Sequence, residues 1–232
     1  MKTKYAIIIP THDNNIGYKL AALDTYLKHA PDNVDIYFVH GGNFNTVVES
    51  KKGDVSYTDL YFKVSEKISC VHKKLYKAFK KLFRKDYDYY IKLDDDTFLF
   101  NVDVFASHKT SGEYIGNRKI IENNNDSIAV KNKLVFLKNY KIREPYKGDL
   151  PKQYCTGECF ILSKKAVESI INYKGPQKYE KFAIDDVAIG KILENEGYKI
   201  NINKFLNYEH PVKFDNFYIY YKKHYTNELI PA

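Results

Sequence analysis

Short apolar segments alternate with amphipathic segments along the first half of the chain. The apolar segments predict strands at residues 5–9, 34–39, 60–64 and 89–93, and the amphipathic segments predict helices at residues 17–29 and 67–85. Strands that alternate with helices predict an α/β fold, with a mostly parallel central sheet and helices on both of its faces.

The predicted helix at residues 67–85 carries much of the positive charge of the chain. Its apolar side chains recur at helical spacing, at Ile68, Val71, Leu75, Phe79 and Leu82. This spacing makes the lysines between them the solvent-facing side of the helix. Ser65 is the predicted N-terminal cap.

The second half of the chain has a less regular pattern. Residues 119–150 are rich in Asn, Lys and Asp, which predicts an irregular hairpin or a mobile loop. A strand ends at Ser163, which is predicted to cap a helix that extends to about residue 171. A further helix starts within residues 182–190 and stops near Gly197, and a late strand follows at residues 198–203.

Three adjacent carboxylates, Asp94, Asp95 and Asp96, directly follow the predicted strand at residues 89–93. Because side chains alternate between the two faces of a strand, Asp94 and Asp96 are expected on one face and Asp95 on the other. Two carboxylates on one face, with no basic residue inside the triplet, repel each other unless a cation lies between them. Oxygen ligands favour Mg²⁺, Mn²⁺ or Ca²⁺ over zinc. A solvated acidic turn is the alternative, and the flanking aromatic residues favour the cation site over it.

Polar segments follow three of the predicted strands. They are Thr11-His12-Asp13-Asn14, Gly41-Gly42-Asn43 and the acidic triplet. Ligands of mostly parallel sheets bind beyond the carboxyl ends of the strands. The three segments therefore predict a crevice at one edge of the sheet.

Composition narrows the class of protein. The 232 residues, 44% of them hydrophobic, suit one sizeable domain. The net charge of +8 could attract nucleic acid, an anionic membrane or a phosphorylated small molecule, although a solvated helix face is the commoner explanation. The sequence has no run near the ~20 apolar residues of a membrane helix and no signal peptide. With three cysteines and no disulfide framework, a cytoplasmic location is expected, or an excised catalytic domain.

Four segments occur in an order that resembles the fringe and β-1,3-galactosyltransferase family (glycosyltransferase family 31). They are residues 91–98 around the acidic triplet, residues 154–163, residues 184–190 and Glu209-His210-Pro211. Residues 59–67 also resemble the family's stretch before its triplet. Any one of these motifs is weak, whereas four in order are fairly specific.

The resemblance implies a GT-A fold in one catalytic domain over residues 1–232. Residues 1–100 would form the half that binds the nucleotide sugar, and residues 101–232 the half that binds the acceptor. The chain departs from the family at Glu158-Cys159, which replace a glycine run and bear on acceptor recognition. Asp185 stands where Glu is commoner, and the usual signal anchor and lumenal disulfides are missing.

The resemblance also implies roles for the acidic triplet and the late histidine. Asp96 would ligate the metal directly, Asp94 would reach the ribose or a metal-bound water, and Asp95 would support the loop from the other face. His210 resembles the late metal-binding histidine of the family, with an ordinary core or surface histidine as the alternative. An imidazole ligand favours Mn²⁺ over Mg²⁺.

Inversion at the anomeric carbon requires a base opposite the leaving group. Asp186, which matches the second acid of the family's third motif, is the predicted base, and Asp185 is the reserve. Lys67 or Lys92 would contact the diphosphate. The nucleotide base and ribose are expected near Thr11, His12, Asp13 and Asn43.

The leading hypothesis is a metal-dependent, inverting glycosyltransferase that uses Mn²⁺ or Mg²⁺. It would move a hexose from a UDP-sugar to a hydroxyl group of a glycan, a glycoprotein or another acceptor. The alternatives are a retaining transferase, a sugar nucleotidyltransferase, a basic nucleic-acid-binding module and a metal-dependent nuclease. The lack of Lys and Arg in residues 11–15 counts against a nucleotidyltransferase, and a nuclease would need further carboxylates within about 4 Å of a second metal.

Overall fold

A computed structural model describes most of the chain. The described residues are 2–67, 70–106, 110–117, 119–121, 151–174, 185–203, 206–209, 213, 215–222 and 225. Their central feature is an eight-stranded sheet that combines strands from both halves of the chain.

Twelve strands lie within the described residues. In chain order they are β1 Tyr5–Pro10, β2 Val34–His40, β3 Thr46–Lys52, β4 Val55–Tyr61, β5 Tyr89–Leu93, β6 Phe98–Leu99, β7 Tyr114–Gly116, β8 Lys119–Ile121, β9 Gln153–Cys155, β10 Cys159–Ser163, β11 Ile200–Ile202 and β12 Tyr208–Glu209. The main sheet has the order β11-β7-β10-β5-β1-β2-β4-β3, and the pairs β12-β6 and β8-β9 form two small sheets.

The main sheet is mixed. Four of its seven strand pairings among the described residues are parallel: β1 with β2, β1 with β5, β2 with β4, and β7 with β11. Strand β10 runs antiparallel between β5 and β7, and β3 runs antiparallel to β4 at the edge. The predicted mostly parallel sheet is therefore confirmed, with an antiparallel strand inserted on one side and a hairpin on the other.

The hairpin of β3 and β4 differs from the predicted strand at residues 60–64. Strand β4 begins at Val55 and ends at Tyr61, and β3 has no predicted counterpart. As an edge strand, β3 keeps Val47 and Val48 more than two-fifths exposed, so its sequence lacks the apolar alternation of a half-buried strand. Gly53, with a φ of +57°, occupies the turn between the two strands.

Five α-helices surround the sheet within the described residues. They are α1 Ile16–Asp24, α2 Val71–Leu82, α3 Lys164–Asn172, α4 Asp185–Asn195 and α5 Asp215–Tyr221. The alternating side chains of β1 show that helices cover both faces. Tyr5, Ile7 and Ile9 pack in one apolar cluster with α1 and α5, and Ala6 and Ile8 pack in another with α2, α3 and α4.

The two early helices are shorter than predicted. Helix α1 ends at Asp24 because Thr25 leaves the helical conformation and its hydroxyl donates to the Ala21 carbonyl at 2.6 Å; a 3₁₀ turn then covers Tyr26–His29. Helix α2 begins at Val71, and Cys70, not Ser65, stands at its N-cap. The Ser65 hydroxyl accepts instead from the Lys67 amide at 3.3 Å.

The later helices follow the predictions more closely. The Ser163 hydroxyl caps α3 by accepting from the Ala166 amide at 3.1 Å, which confirms the predicted cap. Helix α4 ends two residues before Gly197, close to the predicted stop. Most of the predicted loop, residues 122–150, lies outside the described residues, as do residues 175–184 before α4.

Gly190 allows α4 to pack closely against β9. A Cβ atom at this position would lie 2.4 Å from Cβ of Tyr154, which is a fully buried residue. We expect Gly190→Ala to lower the free energy of unfolding by about 3 kcal/mol through overpacking. Urea denaturation measures this effect.

Gly53→Ala is the matched control for Gly190→Ala. No atom lies within 4 Å of its added Cβ atom, so only the left-handed backbone conformation opposes the substitution, at about 1 kcal/mol. Equal destabilisation by both variants would contradict the close approach of α4 to β9.

Candidate active site

The carboxyl ends of three parallel strands meet at one edge of the main sheet. Strand β1 lies between β2 and β5, and each of the three is followed by a polar segment. The Thr11 amide donates to the Val39 carbonyl at 2.9 Å, so the first polar segment starts beside the end of β2. The structure therefore places the three predicted segments beside one another.

The acidic triplet forms a turn and does not extend β5. The strand ends at Leu93, and the Asp94 carbonyl accepts from the Thr97 amide at 3.1 Å. The Asp94 amide donates to the Glu158 carbonyl at 3.0 Å, which joins the triplet to the turn before β10. The prediction from strand alternation assumed that the triplet continues the strand, and this assumption was wrong. Asp94 and Asp95 contact different partners because the chain turns here.

Asp95 contacts protein groups at the end of β1. One of its carboxylate oxygens accepts from the Thr11 hydroxyl at 2.8 Å and from the Asn15 amide nitrogen at 3.0 Å. Burial raises the pKa of Asp95, and these two hydrogen bonds oppose that rise. Asp95 therefore fixes the triplet against the loop after β1.

Asp94 faces the buried ammonium group of Lys92. This side chain is 1% exposed and its Nζ contacts the Asp94 carboxylate, the Gly157 carbonyl and, at 3.1 Å, Oδ2 of Asp185. Burial alone would lower the pKa of Lys92, but the carboxylates of Asp185 and Asp94 raise it above its ordinary value. Lys92 is therefore a permanent cation that connects β5 with the start of α4.

The position of Lys92 changes two predictions made from the sequence. A basic residue neutralises part of the negative charge of the triplet, so a metal ion is not required to explain it. An ammonium group has three N–H donors; here Nζ donates to the Asp94 carboxylate and to the Gly157 carbonyl, and Oδ2 of Asp185 lies 3.1 Å away as an ion-pair partner. Lys92 therefore contacts carboxylates and a carbonyl in this structure, where the sequence suggested a diphosphate.

Asp185 and Asp186 begin α4 beside this cation. Oδ1 of Asp186 accepts from the Val187 amide at 2.8 Å, and the residue is 4% exposed. The point that a Cβ atom of Gly157 would occupy lies 3.4 Å from Oδ2 of Asp186 and 3.6 Å from Nζ of Lys92. The structure thus brings Asp94, Asp185 and Asp186 together around Lys92 and the Gly157 turn.

The other predicted site residues have varied surroundings. Nδ1 of His12 accepts from the Asn14 amide at 3.0 Å and so caps a short 3₁₀ turn. Asn43 and Lys67 are exposed. His210 and the side chain of Asp13 lie outside the described residues.

The triplet offers a partial metal site. Within the described part of the chain, no group of three or more His, Cys, Asp and Glu side chains is close enough to hold a metal ion. Asp94 and Asp96 nevertheless present like charges near each other, since Asp96 contributes to raising the pKa of Asp94, after burial and Asp185. Mg²⁺ and similar ions are commonly held by one or two carboxylates together with substrate phosphates. The two carboxylates fit such a shared site.

Three further residues of this region were not predicted from the sequence. Tyr18 on α1 has its pKa raised by burial and by the nearby charges of Asp96 and Asp95. Lys74 donates to the Thr11 carbonyl and to Glu66, and Glu66 accepts from the Gly41 amide, so both residues contact the segments that follow β1 and β2. The helical pattern did not distinguish Lys74 from the other lysines of the helix, all of which are expected to face solvent.

A family model for galactosyltransferases matches residues 45–204, more than half of the chain. The chain belongs to the galactosyltransferase family. The match confirms the predicted family and the predicted glycosyltransferase class, and the sheet flanked by helices has the α/β architecture predicted for a GT-A fold. The match includes the acidic triplet, Lys92 and both acids of α4, whereas His210 lies beyond it.

The solved structures similar to this galactosyltransferase-family chain include one of low sequence identity. A Drosophila β-1,4-galactosyltransferase 7 variant, crystallised with manganese, UDP-galactose and xylobiose, has 10% sequence identity and a TM-score of 0.45, covering 92% of this chain and 73% of its own. No curated protein sequence matches the chain. Across the described residues, no helix combines the length and apolarity needed to cross a membrane.

Proposed function

We propose that this glycosyltransferase is a metal-dependent, inverting hexosyltransferase. It transfers a hexose from a UDP-sugar to a hydroxyl group of a glycan or another acceptor. The gathering of Asp94, Asp185 and Asp186 around Lys92, in a chain of the galactosyltransferase family, is the observation that carries the proposal. Residues 1–232 form one catalytic domain, and residues 1–100 bind the nucleotide.

Asp96 and Asp94 would hold the metal ion, with His210 as the proposed third ligand. When bound, Mn²⁺ or Mg²⁺ would act as a Lewis acid and stabilise the charge of the departing diphosphate. Asp96 is half-buried at the turn, and its negative charge contributes to raising the pKa of Asp94, after burial and Asp185. Asp95 holds the turn in place through Thr11 and Asn15.

Asp186 is the proposed base. It accepts the proton of the acceptor hydroxyl as that oxygen bonds to the anomeric carbon and the bond from this carbon to the phosphate oxygen breaks. Asp185 is less suited because its Oδ2 forms an ion pair with Lys92 at 3.1 Å, and a carboxylate paired with a cation is a weaker base. Lys92 positions the two acids of α4 relative to Asp94.

The nucleotide would lie along the polar segments after β1 and β2. Thr11, His12 and Asp13 would contact the base and ribose, and Asn43 would line the same crevice from the end of β2. Lys67 remains available for the diphosphate because it is exposed. It lies between the end of β4 and the start of α2, one residue after Glu66, which contacts the Gly41 amide at the end of β2.

A thermal-shift panel of nucleotide sugars, with and without Mn²⁺, tests the proposal. A ligand at 100 times its Kd stabilises the fold by about 2.7 kcal/mol. For 232 residues this corresponds to a rise in Tm of roughly 5–10 °C. We expect that rise for one UDP-sugar with Mn²⁺, and little change for the sugar or the metal alone.

Two controls sharpen this measurement. GDP-sugars and ADP-sugars with Mn²⁺ report the dependence on the base, and EDTA reports the dependence on the metal. Equal shifts for all nucleotide sugars without any metal would contradict a metal-dependent UDP-sugar site. Stabilisation by DNA or RNA oligonucleotides in place of nucleotide sugars would favour a nucleic-acid-binding module.

A further inference from the structure

Lys74 is a buried lysine on the inner side of α2. It is 2% exposed, although the other lysines of the helix line its outer face or its rim. Its Nζ donates to the Thr11 carbonyl at 2.7 Å and to Oε2 of Glu66 at 2.9 Å. The helix therefore delivers one positive charge to the back of the loop that follows β1.

Glu66 extends the contacts of Lys74 to the end of β2. Its second carboxylate oxygen accepts from the Gly41 amide, the first amide after that strand. The next amide, that of Gly42, donates to the Val64 carbonyl at 2.8 Å. Residues 64–66 thus fix the strand end that begins the Gly41-Gly42-Asn43 segment.

Thr11 extends the contacts of Lys74 in the other direction. Its carbonyl accepts from Lys74, while its hydroxyl donates to Asp95 of the acidic triplet at 2.8 Å. We call Gly41, Glu66, Lys74, Thr11 and Asp95 the strand-end network. It is a continuous series of hydrogen bonds across the carboxyl ends of β2, β1 and β5.

Stability alone is a weak explanation for this network. Removing a lysine from water is costly, and replacing a buried ion pair by apolar groups of similar volume is often neutral or stabilising. Glu66 remains about one-fifth exposed, so water weakens its attraction to Lys74. The cost of burying the Lys74 charge is therefore only partly offset by the ion pair. What the network provides is a defined distance between the acidic triplet and the end of β2.

We propose that Lys74 and Glu66 are positioning residues, which hold the acidic triplet and the end of β2 in the arrangement that binds the metal and the nucleotide together. This inference rests on the proposed function and concerns two residues that act through Thr11 and Gly41. Small displacements of binding groups weaken binding strongly, because the metal and the nucleotide must be contacted from two strand ends at once.

The double variant Lys74→Met, Glu66→Gln tests the proposal because it removes both charges and leaves no unpaired ion. We expect Tm to change by only a few degrees. We expect the Kd for UDP in the presence of Mn²⁺, measured by calorimetry, to rise about tenfold or more. In turnover, KM for the donor should rise by a similar factor while kcat changes much less.

Lys81→Met is the matched control. Lys81 lies on the same helix, is exposed, and should leave Kd, KM and Tm unchanged. Glu66→Ala, at a partly exposed position, provides a second test should the double variant fail to fold. It removes the acceptor of the Gly41 amide and is expected to weaken UDP binding in the same direction.

The outcomes separate this inference from the proposed function. Manganese-dependent UDP binding that is equally tight in the wild type, the double variant and Glu66→Ala would overturn the positioning role and leave the proposed function standing. A wild-type protein that binds no UDP with Mn²⁺ would overturn both. A double variant with a lower Tm but unchanged Kd and KM would show that the strand-end network contributes to stability and not to positioning.

Discussion

Asp96→Ala is expected to abolish transfer and donor hydrolysis while the protein stays folded. Asp96 is half-buried at a turn and supplies no part of the two apolar clusters, so its loss should change stability by no more than about 0.5 kcal/mol. Loss of the proposed metal ligand would remove the charge stabilisation of the departing diphosphate, which is worth at least roughly 10²–10³ in rate. UDP release with and without an acceptor measures both activities.

Asp86→Ala is a suitable control for Asp96→Ala. The Asp86 side chain is 87% exposed and pairs only loosely with Lys164, at 3.5 Å; it precedes β5, whereas the triplet follows that strand. This variant should keep wild-type activity and Tm. Full activity in Asp96→Ala, or in the wild-type protein in EDTA, would end the metal proposal.

The sequence predicted the parts of the fold whose pattern is local. Strands β1, β2 and β5 are apolar runs that end in polar segments, and their bounds were predicted within one residue. The Ser163 cap was equally local, since a cap depends on residues within one turn of each other. Strand β3 was missed because an exposed edge strand has no buried face to impose an alternating pattern.

The candidate site could be predicted only in part because its contacts are non-local. The triplet is visible as three adjacent acids, but the partners of Lys92 come from residues 94, 157 and 185, which only the folded sheet brings together. Lys74 shows the same limit. Helical spacing predicted that Lys74 faces solvent like the neighbouring lysines. Its burial is explained by a non-local contact, the hydrogen bond from its Nζ to the Thr11 carbonyl.

Asp186→Asn is expected to retain UDP binding and to lose transfer. Asparagine has nearly the same shape and can keep the hydrogen bond from the Val187 amide, while Lys92 keeps its contacts with Asp94 and Asp185. The amide cannot accept the proton of the acceptor hydroxyl, so kcat should fall by roughly 10²–10⁴-fold. Calorimetry of UDP with Mn²⁺ and single-turnover transfer assays measure the two effects separately.

Asp185→Asn is the informative comparison because it changes the adjacent acid of the same helix. It weakens the ion pair with Lys92 but leaves the proposed base in place, so we expect a smaller loss of kcat than in Asp186→Asn. Normal transfer by Asp186→Asn together with inactive Asp185→Asn would move the base by one residue. In that case Lys92, which pairs with Asp185 in this structure, would have to release that carboxylate when the donor binds, and the Lys92 contacts would become part of the catalytic cycle.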